Sequence, residues 1–162
     1  AMLQWLGGVG IIVIAIALFP ILKIGGMQLF QSEFSSKEEK VLPRTKNIAA
    51  GIGVIYILLT FLCSFLLYLT GLDMFDSIAH GMTIIATGGF STKDMSIGYF
   101  DSIYTEIVTM FFMIIASLPF IYLFQAMKGK FSDLLKSSQV QFFLLIILIS
   151  TVIVAFWLKR YY

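Results

Sequence analysis

The chain has 162 residues, 59 % of them hydrophobic and 12 % charged, against roughly 25 % charged in an ordinary soluble domain. So few polar side chains cannot cover the surface of a water-soluble domain, and the composition also excludes a disordered chain, a coiled coil and a basic nucleic-acid binder. The net charge is only +2, so the placement of the charges matters more than their sum, and the single Cys63 excludes an internal disulfide or a cysteine metal cluster.

Charge-free windows place the elements in chain order. Residues 5–22 carry no charge, nor do 48–72 and 137–158, and 102–127 carries only Glu106. A membrane helix needs roughly 20 predominantly apolar residues. Four spans are therefore expected, near 3–23, 47–71, 103–127 and 138–159, in an all-α integral membrane protein. The first stretch (region 1–23) lacks a basic leader and a small-residue cleavage site, so it reads as a span and not as a signal peptide. Connections are expected over 24–46 and 128–137, and the last span belongs to region 138–162. Pro119 falls inside the third span, where loss of an intrahelical hydrogen bond predicts a kink or an irregular end.

The segment 73–100 breaks this pattern. Residues 78–85 are apolar but too few to cross a bilayer, and Gly88 and Gly89 interrupt the run. Asp73 is a predicted N-cap with Asp76 three residues on, and Phe75, Ile78, Ala79, Met82 and Ile85 recur at helical spacing. A short helix over 74–86 followed by an irregular loop at 87–91 reads as re-entrant. Bare backbone at membrane depth is tolerated only inside protein or along a water-filled cavity. The expected unit is a span–pore-helix–span repeat over 47–127 (span 47–71, pore helix 74–86, filter loop 87–91, span 103–127), with one further transmembrane helix on each side.

Basic residues set the orientation. Counted from Lys23 to Asn47, the first connection with its edges holds Lys23, Lys37, Lys40, Arg44 and Lys46, and the second holds Lys128, Lys130 and Lys136. Both connections share a side if 73–100 dips in and returns, which puts eight of the 11 basic residues on the cytoplasmic side. The opposite side carries Asp73, Asp76, Asp94 and Asp101 against Lys93, an expected acidic outer mouth that would concentrate cations. Taken singly, each of these aspartates is also an ordinary cap or loop residue. Lys159 and Arg160 end the last span on the outer side, against the rule.

The loop Thr87-Gly88-Gly89-Phe90-Ser91 has the chemistry of a cation path. Backbone carbonyls replace the water of a monovalent ion without a full charge that would trap it. The negative dipole end of the short helix faces the same place. Alone, a Gly-Gly pair means only a turn or close packing; the enclosing span, half-helix and span make the pore reading.

Four stretches carry a family resemblance: QWLGGVGIIV at 4–13, GGMQL at 25–29, HGMTIIATGGFST at 80–92 and GYFDS at 98–102. In order and spacing the chain resembles the membrane subunit of bacterial potassium uptake systems of the Trk/Ktr type, and the Trk kind most closely. The run Phe90-Ser91-Thr92 is similar to that of its second repeat. The resemblance implies four linked repeats around one ion path, of which this chain holds one complete repeat and a span from each neighbour. It implies a multi-pass protein of the bacterial inner membrane that passes K⁺, with Na⁺ or H⁺ coupling left open and no covalently bound cofactor. The family's central filter glycine falls on Gly88, so the carbonyls of Ala86, Thr87, Gly88 and Gly89 would supply one quarter of the ion ligands, with K⁺ at Thr87 and Gly88. Phe90, Ser91 and His80 would support the filter. Implied partners are the remaining repeats of the same polypeptide, a second copy of the full-length protein and a cytosolic nucleotide-binding regulatory subunit touching the basic connection 24–46. No nucleic acid is implied.

Other residues read more plainly. His80 is the only histidine, and no Asp, Glu or Cys stands at ligand spacing around it, so it reads as a packing and hydrogen-bonding group behind the loop. Glu106 reads as interfacial, beside Tyr104. Trp5, Tyr99, Tyr104, Trp157, Tyr161 and Tyr162 suit an aromatic belt, and Gly7, Gly8, Gly10, Gly51 and Gly53 suit close helix packing. No nucleophile and base, and no carboxylate pair within a span, support an enzyme. The rival readings are a non-conducting membrane module that packs against a partner, and a homotetrameric pore-loop subunit, which would leave the flanking helices unpartnered.

Overall fold

A computed structural model describes residues 1–8, 38–129 and 131–161. Every regular element among them is helical, as the all-α expectation requires. Most of the expected first span, the connection up to residue 37, Gly10 and Tyr162 lie outside the described residues. The chain divides into two compact units, Ala1–Phe120 and Ile121–Tyr162.

The first unit is built on α1, Glu38–Leu69. Its stretch Ala50–Leu69 is long and apolar enough to cross a membrane, about 30 Å at 1.5 Å per residue. Ile52, Tyr56, Cys63 and Leu67 form a buried stripe at helical spacing, while Val54, Phe61 and Phe65 are exposed. A helix that is apolar on all sides but covered on one suits a lipid or bundle setting. The helix begins before the expected 47 because the charged run 38–46 continues it beyond the apolar window.

A tight turn leads to α2, Met74–Ile85, whose 12 residues give about 18 Å, too short to span. Asp73 caps it: its Oδ1 accepts the Asp76 N–H at 2.7 Å. Helix α2 packs closely on α1 because Gly81 faces Ser64 with no room for a Cβ. A 3₁₀ turn, Ser96–Phe100, then leads to α3, Ile103–Ala116. Ile84 and Ile85 of α2 and Phe112 and Ala116 of α3 close the core over Tyr56, Cys63 and Leu67. Thr105 Oγ1 donates to Thr70 Oγ1 at 3.0 Å, tying the start of α3 to the end of α1.

Residues 2–8 are helical and dock on the same core. Trp5, expected in the aromatic belt, is tied to the core: its indole N–H donates to Thr60 Oγ1 at 2.9 Å and its ring lies 5.4 Å from that of Tyr56. Tyr56 O–H in turn donates to the Trp5 carbonyl at 2.9 Å. Gly8 meets Tyr56 and Ala86 closely, as the packing role requires, whereas Gly7 and Gly53 face open space.

The expected third span is not one helix. Helix α3 stops at Ala116, where Ser117 Oγ donates back to the Met113 carbonyl at 2.8 Å, and Pro119 cannot continue the ladder. Helix α4, Phe120–Met127, follows. In the second unit the expected connection 128–137 contains a short helix, α5, Phe131–Lys136. Gln141 Nε2 donates to the Leu135 carbonyl at 2.9 Å and ties it to α6, Ser138–Tyr161. Its stretch Ser138–Arg160 also has the length and composition of a span. Lys159 and Arg160 sit in its last turn, where the negative dipole end favours cations.

Candidate functional site

The loop after α2 begins as a helix cap. Thr87 N–H donates to the Ile84 carbonyl at 3.0 Å and Gly88 N–H to the Thr83 carbonyl at 2.8 Å, the paired bonds of a Schellman motif. Thr87 occupies its left-handed position at φ 51°, where glycine is usual and a β-branched residue is strained. Its Oγ1 donates to the Ala86 carbonyl at 2.8 Å. Gly89 is left-handed as well, at φ 72°.

These amides fix where the carbonyls go. In a planar trans peptide the C=O of one residue opposes the N–H of the next. The N–H groups of Thr87 and Gly88 point back at α2, so the carbonyls of Ala86 and Thr87 point away from it. Phe90 N–H donates to Thr83 Oγ1 at 2.8 Å, so the Gly89 carbonyl also points away. The Gly88 carbonyl, like that of Ala86, has one of its two lone pairs occupied, but by a distant residue: it accepts a hydrogen bond from Gln4 Nε2 at 2.9 Å. Thr87 and Gly89 are exposed and Gly88 is half-buried. A cavity of about 250 Å³ lies beside them, its wall mostly apolar (Ile84, Ile97 and Met113 among others) with His80, Thr83 and Thr109 as polar members.

The returning segment is fastened to one face of α2 at three levels. Asp76, His80 and Thr83 recur at i, i+4 and i+7, and all three are buried. Thr83 holds Phe90 through the bond just given. His80 Nδ1 lies 2.8 Å from the Asp76 carbonyl, which can only accept, so Nδ1 carries the hydrogen. Its Nε2 lies 2.9 Å from Ser91 Oγ, and that hydroxyl accepts the Lys93 N–H at 3.1 Å. The Phe100 ring stands edge-on to the imidazole at 5.5 Å. Asp76 Oδ1 accepts from Thr92 Oγ1 at 2.6 Å, and Oδ2 pairs with Lys93 Nζ at 3.0 Å. The Thr92 hydroxyl, with Lys93, holds the Asp76 carboxyl below the usual carboxylate range. Asp76 raises Lys93 in turn, and that ammonium also lies 5.0 Å above the Tyr99 ring.

The expected acidic mouth therefore divides. Asp76 is internal and neutralised, because the return of the chain brings Lys93 and Thr92 onto it. Asp73, Asp94 and Asp101 are exposed, Asp73 as a helix cap and Asp101 at φ 42° after the 3₁₀ turn. Phe90 is exposed, 46 % accessible, and is held by its backbone, not by packing of its ring. Glu106 is exposed in the first turn of α3, where the positive dipole end suits it. Sequence reasoning placed His80 behind the loop but missed the roles of Gln4, Thr83 and Thr92. The polar i, i+4, i+7 stripe on an apolar helix was the available signal for Thr83.

The TrkH family model, described as a cation transport protein, matches residues 1–158. The chain belongs to the TrkH family. It is 44 % identical over 131 residues to the Trk system potassium uptake protein TrkH of Escherichia coli (strain K12), a match covering 80 % of this chain and 27 % of that protein. The Trk system potassium uptake protein TrkI of Halomonas elongata is 40 % identical over 156 residues, 96 % of this chain and 32 % of that one. TrkG of Escherichia coli (strain K12), a potassium uptake protein of the same system, is 35 % identical over 157 residues. This TrkH-family chain thus spans between a quarter and a third of the length of these relatives.

Proposed function

We propose that residues 47–127 are one span–pore-helix–span repeat of a TrkH-family protein that passes K⁺ across the bacterial inner membrane. The carbonyls of Thr87 and Gly89, with the second lone pairs of Ala86 and Gly88, form one side of the ion path. The observation that carries this reading is the backbone polarity of the loop. The N–H groups of Thr87, Gly88 and Phe90 are engaged by α2, so oxygens and no donors of these peptides face outward. Such a surface suits a cation and repels an anion. Residues 84–92 carry no ionised side chain, so the ligand field is the moderate one that allows an ion to leave again. The C-terminal end of α2 adds its partial negative charge. Strain at Thr87 fits a backbone held for function. Relatives whose names assign them to potassium uptake support K⁺ as the ion.

In this reading His80, Ser91 and Phe90 support the loop, and Asp73, Asp94 and Asp101 remain to attract cations at the outer mouth. The other sides of the path come from further repeats of the same polypeptide. Pairing of full-length copies, a cytosolic nucleotide-binding subunit at 24–46 and coupling to Na⁺ or H⁺ belong to the same proposal. The test is Gly88→Ser in the full-length protein carrying this segment, expressed in cells dependent on it for K⁺. A Cβ at Gly88 would fall 2.6 Å from Gln4 Oε1. Loss of K⁺ flux or of K⁺ preference over Na⁺ is expected at normal membrane abundance, and unchanged transport would refute the pore.

A further inference from the structure

Gln4 lies 84 residues before Gly88 in sequence, yet its side chain closes a ring of hydrogen bonds around the start of the loop. Its Nε2 donates to the Gly88 carbonyl at 2.9 Å. Its Oε1 accepts from Thr83 Oγ1 at 3.0 Å. Thr83 Oγ1 accepts from Phe90 N–H at 2.8 Å. The amide orientation follows from the partners, since the Gly88 carbonyl can only accept and so must face the NH₂ group. Every donor and acceptor in the ring then has one consistent direction. Gly88 is also the residue whose Cα the carboxamide covers: a Cβ there would meet Gln4 Oε1, Cδ and Nε2 at 2.6, 2.7 and 3.1 Å.

We infer that Gln4 is a positioning residue of the ion path, which sets the direction of the Gly88 carbonyl from the helical segment that precedes the repeat. The neighbouring carbonyls, of Ala86, Thr87 and Gly89, are turned away from α2 by amides bonded to α2 itself. The Gly88 carbonyl is oriented from outside the repeat. Segment 2–8 is in turn pinned to α1 by the Trp5–Thr60 and Tyr56–Trp5 bonds, so Gln4 is presented from a fixed support. A shift of this segment along α1 would move the Gly88 carbonyl directly and, through Thr83 Oγ1, the hold on Phe90 N–H, while the carbonyls of Ala86 and Thr87 stay set by α2, which makes the preceding helix a determinant of ion preference.

The inference rests on the pore reading, and its test separates the two. In the full-length protein, Gln4→Met keeps the length of the side chain and removes both bonds, while Gln4→Glu sets a carboxylate oxygen against the Gly88 carbonyl. The readouts are the K⁺ concentration for half-maximal uptake and the K⁺ over Na⁺ preference, at matched membrane abundance. Gln4→Met is expected to worsen one or both roughly 3- to 10-fold, the range commanded by one ordinary hydrogen bond, and Gln4→Glu more. Combining Gln4→Met with Thr83→Val is expected to do no more harm than the worse single change, because both open the same ring. Unaltered preference and half-saturation in Gln4→Met overturn the inference. Where Gln4→Met does not accumulate, Thr83→Ser and Thr83→Val decide: one keeps and the other removes the hydroxyl of the ring, and equal preference in the two overturns it. Damage by Gly88→Ala alongside a normal Gln4→Met refutes only the role of Gln4, whereas normal transport by Gly88→Ala refutes the pore.

Discussion

Asp76 shows how far the position of a residue in the fold departs from its local reading. As a carboxylate three residues after a capping aspartate it reads as a first-turn acid of α2, and by location as part of an exposed acidic mouth. Its side chain is instead buried between Thr92 and Lys93, so its charge fastens the returning segment and is not offered to ions. The pH behaviour follows with a definite sign. The folded carboxyl titrates below its ordinary 3.8, so its contribution to stability is present above that value and fades as the pH falls through the lower folded one. Lys93 titrates above its ordinary 10.5, so its share is present below that and is lost as the pH rises further. Asp76→Asn in the full-length protein in detergent should lower Tm at neutral pH, and the gap to the parent should close as the pH falls below 3.8. A gap of the same size in acid would show that the charge of Asp76 is not what holds the segment. The cap at Asp73 was legible because it is local, within three residues. The Asp76–Lys93 pair and the Gln4 ring were not, because each depends on where a loop or a distant segment returns, which no periodicity encodes.

Among the elements, the helices with uninterrupted apolar windows were the most legible. The span-like stretches of α1 and α6, Ala50–Leu69 and Ser138–Arg160, match the charge-free stretches 48–72 and 137–158, since both signals measure the same exclusion of charge from an apolar setting. The third window breaks where Pro119 predicts a kink or an irregular end. Its composition is apolar to residue 127, but Ser117 and Pro119 provide a local stop that hydropathy alone does not weigh. Packing between α1 and α2 rests on a contact that composition cannot reveal, the approach of Gly81 to Ser64. A Cβ at Gly81 would collide with the Ser64 hydroxyl and lie 3.1 Å from its Cα, so the helix backbones themselves would have to separate. Gly81→Ala should therefore cost about 1–3 kcal/mol, the usual range for overpacking a filled contact. Unfolding of the full-length variant in detergent measures it, and Ser64→Gly in the same chain should restore part of the loss. A neutral Gly81→Ala would show that the two helices have slack between them. Because α2 carries the loop on its opposite end and the Asp76–His80–Thr83 stripe along its side, this packing also governs how rigidly the carbonyls are held.

At the scale of the whole molecule, the proposed pore reading makes this one repeat only part of a conduction path. A dehydrated K⁺ needs oxygen ligands on several sides, and the outward carbonyls of Ala86, Thr87 and Gly89 all leave α2 in the same general sense, which makes them one wall. The surface tells the same story. Val54, Phe61 and Phe65 of α1 are exposed apolar groups, and patches of that kind on a natural chain mark contact with lipid or with further protein. The chain also spans only 27–32 % of its relatives TrkH and TrkI, room in them for about three units of this size. The 162-residue chain, purified in detergent and reconstituted into lipid vesicles, should therefore insert and yet carry no K⁺. Rubidium-tracer uptake compares it with the full-length protein in vesicles of the same lipid. Uptake at the background of empty vesicles is the expected result, with the full-length protein well above it. K⁺-selective uptake by the short chain alone would mean that separate copies assemble around one axis, each providing its own wall. The remaining sides of the path would then come from identical loops, and Gln4 would act on every one of them at once.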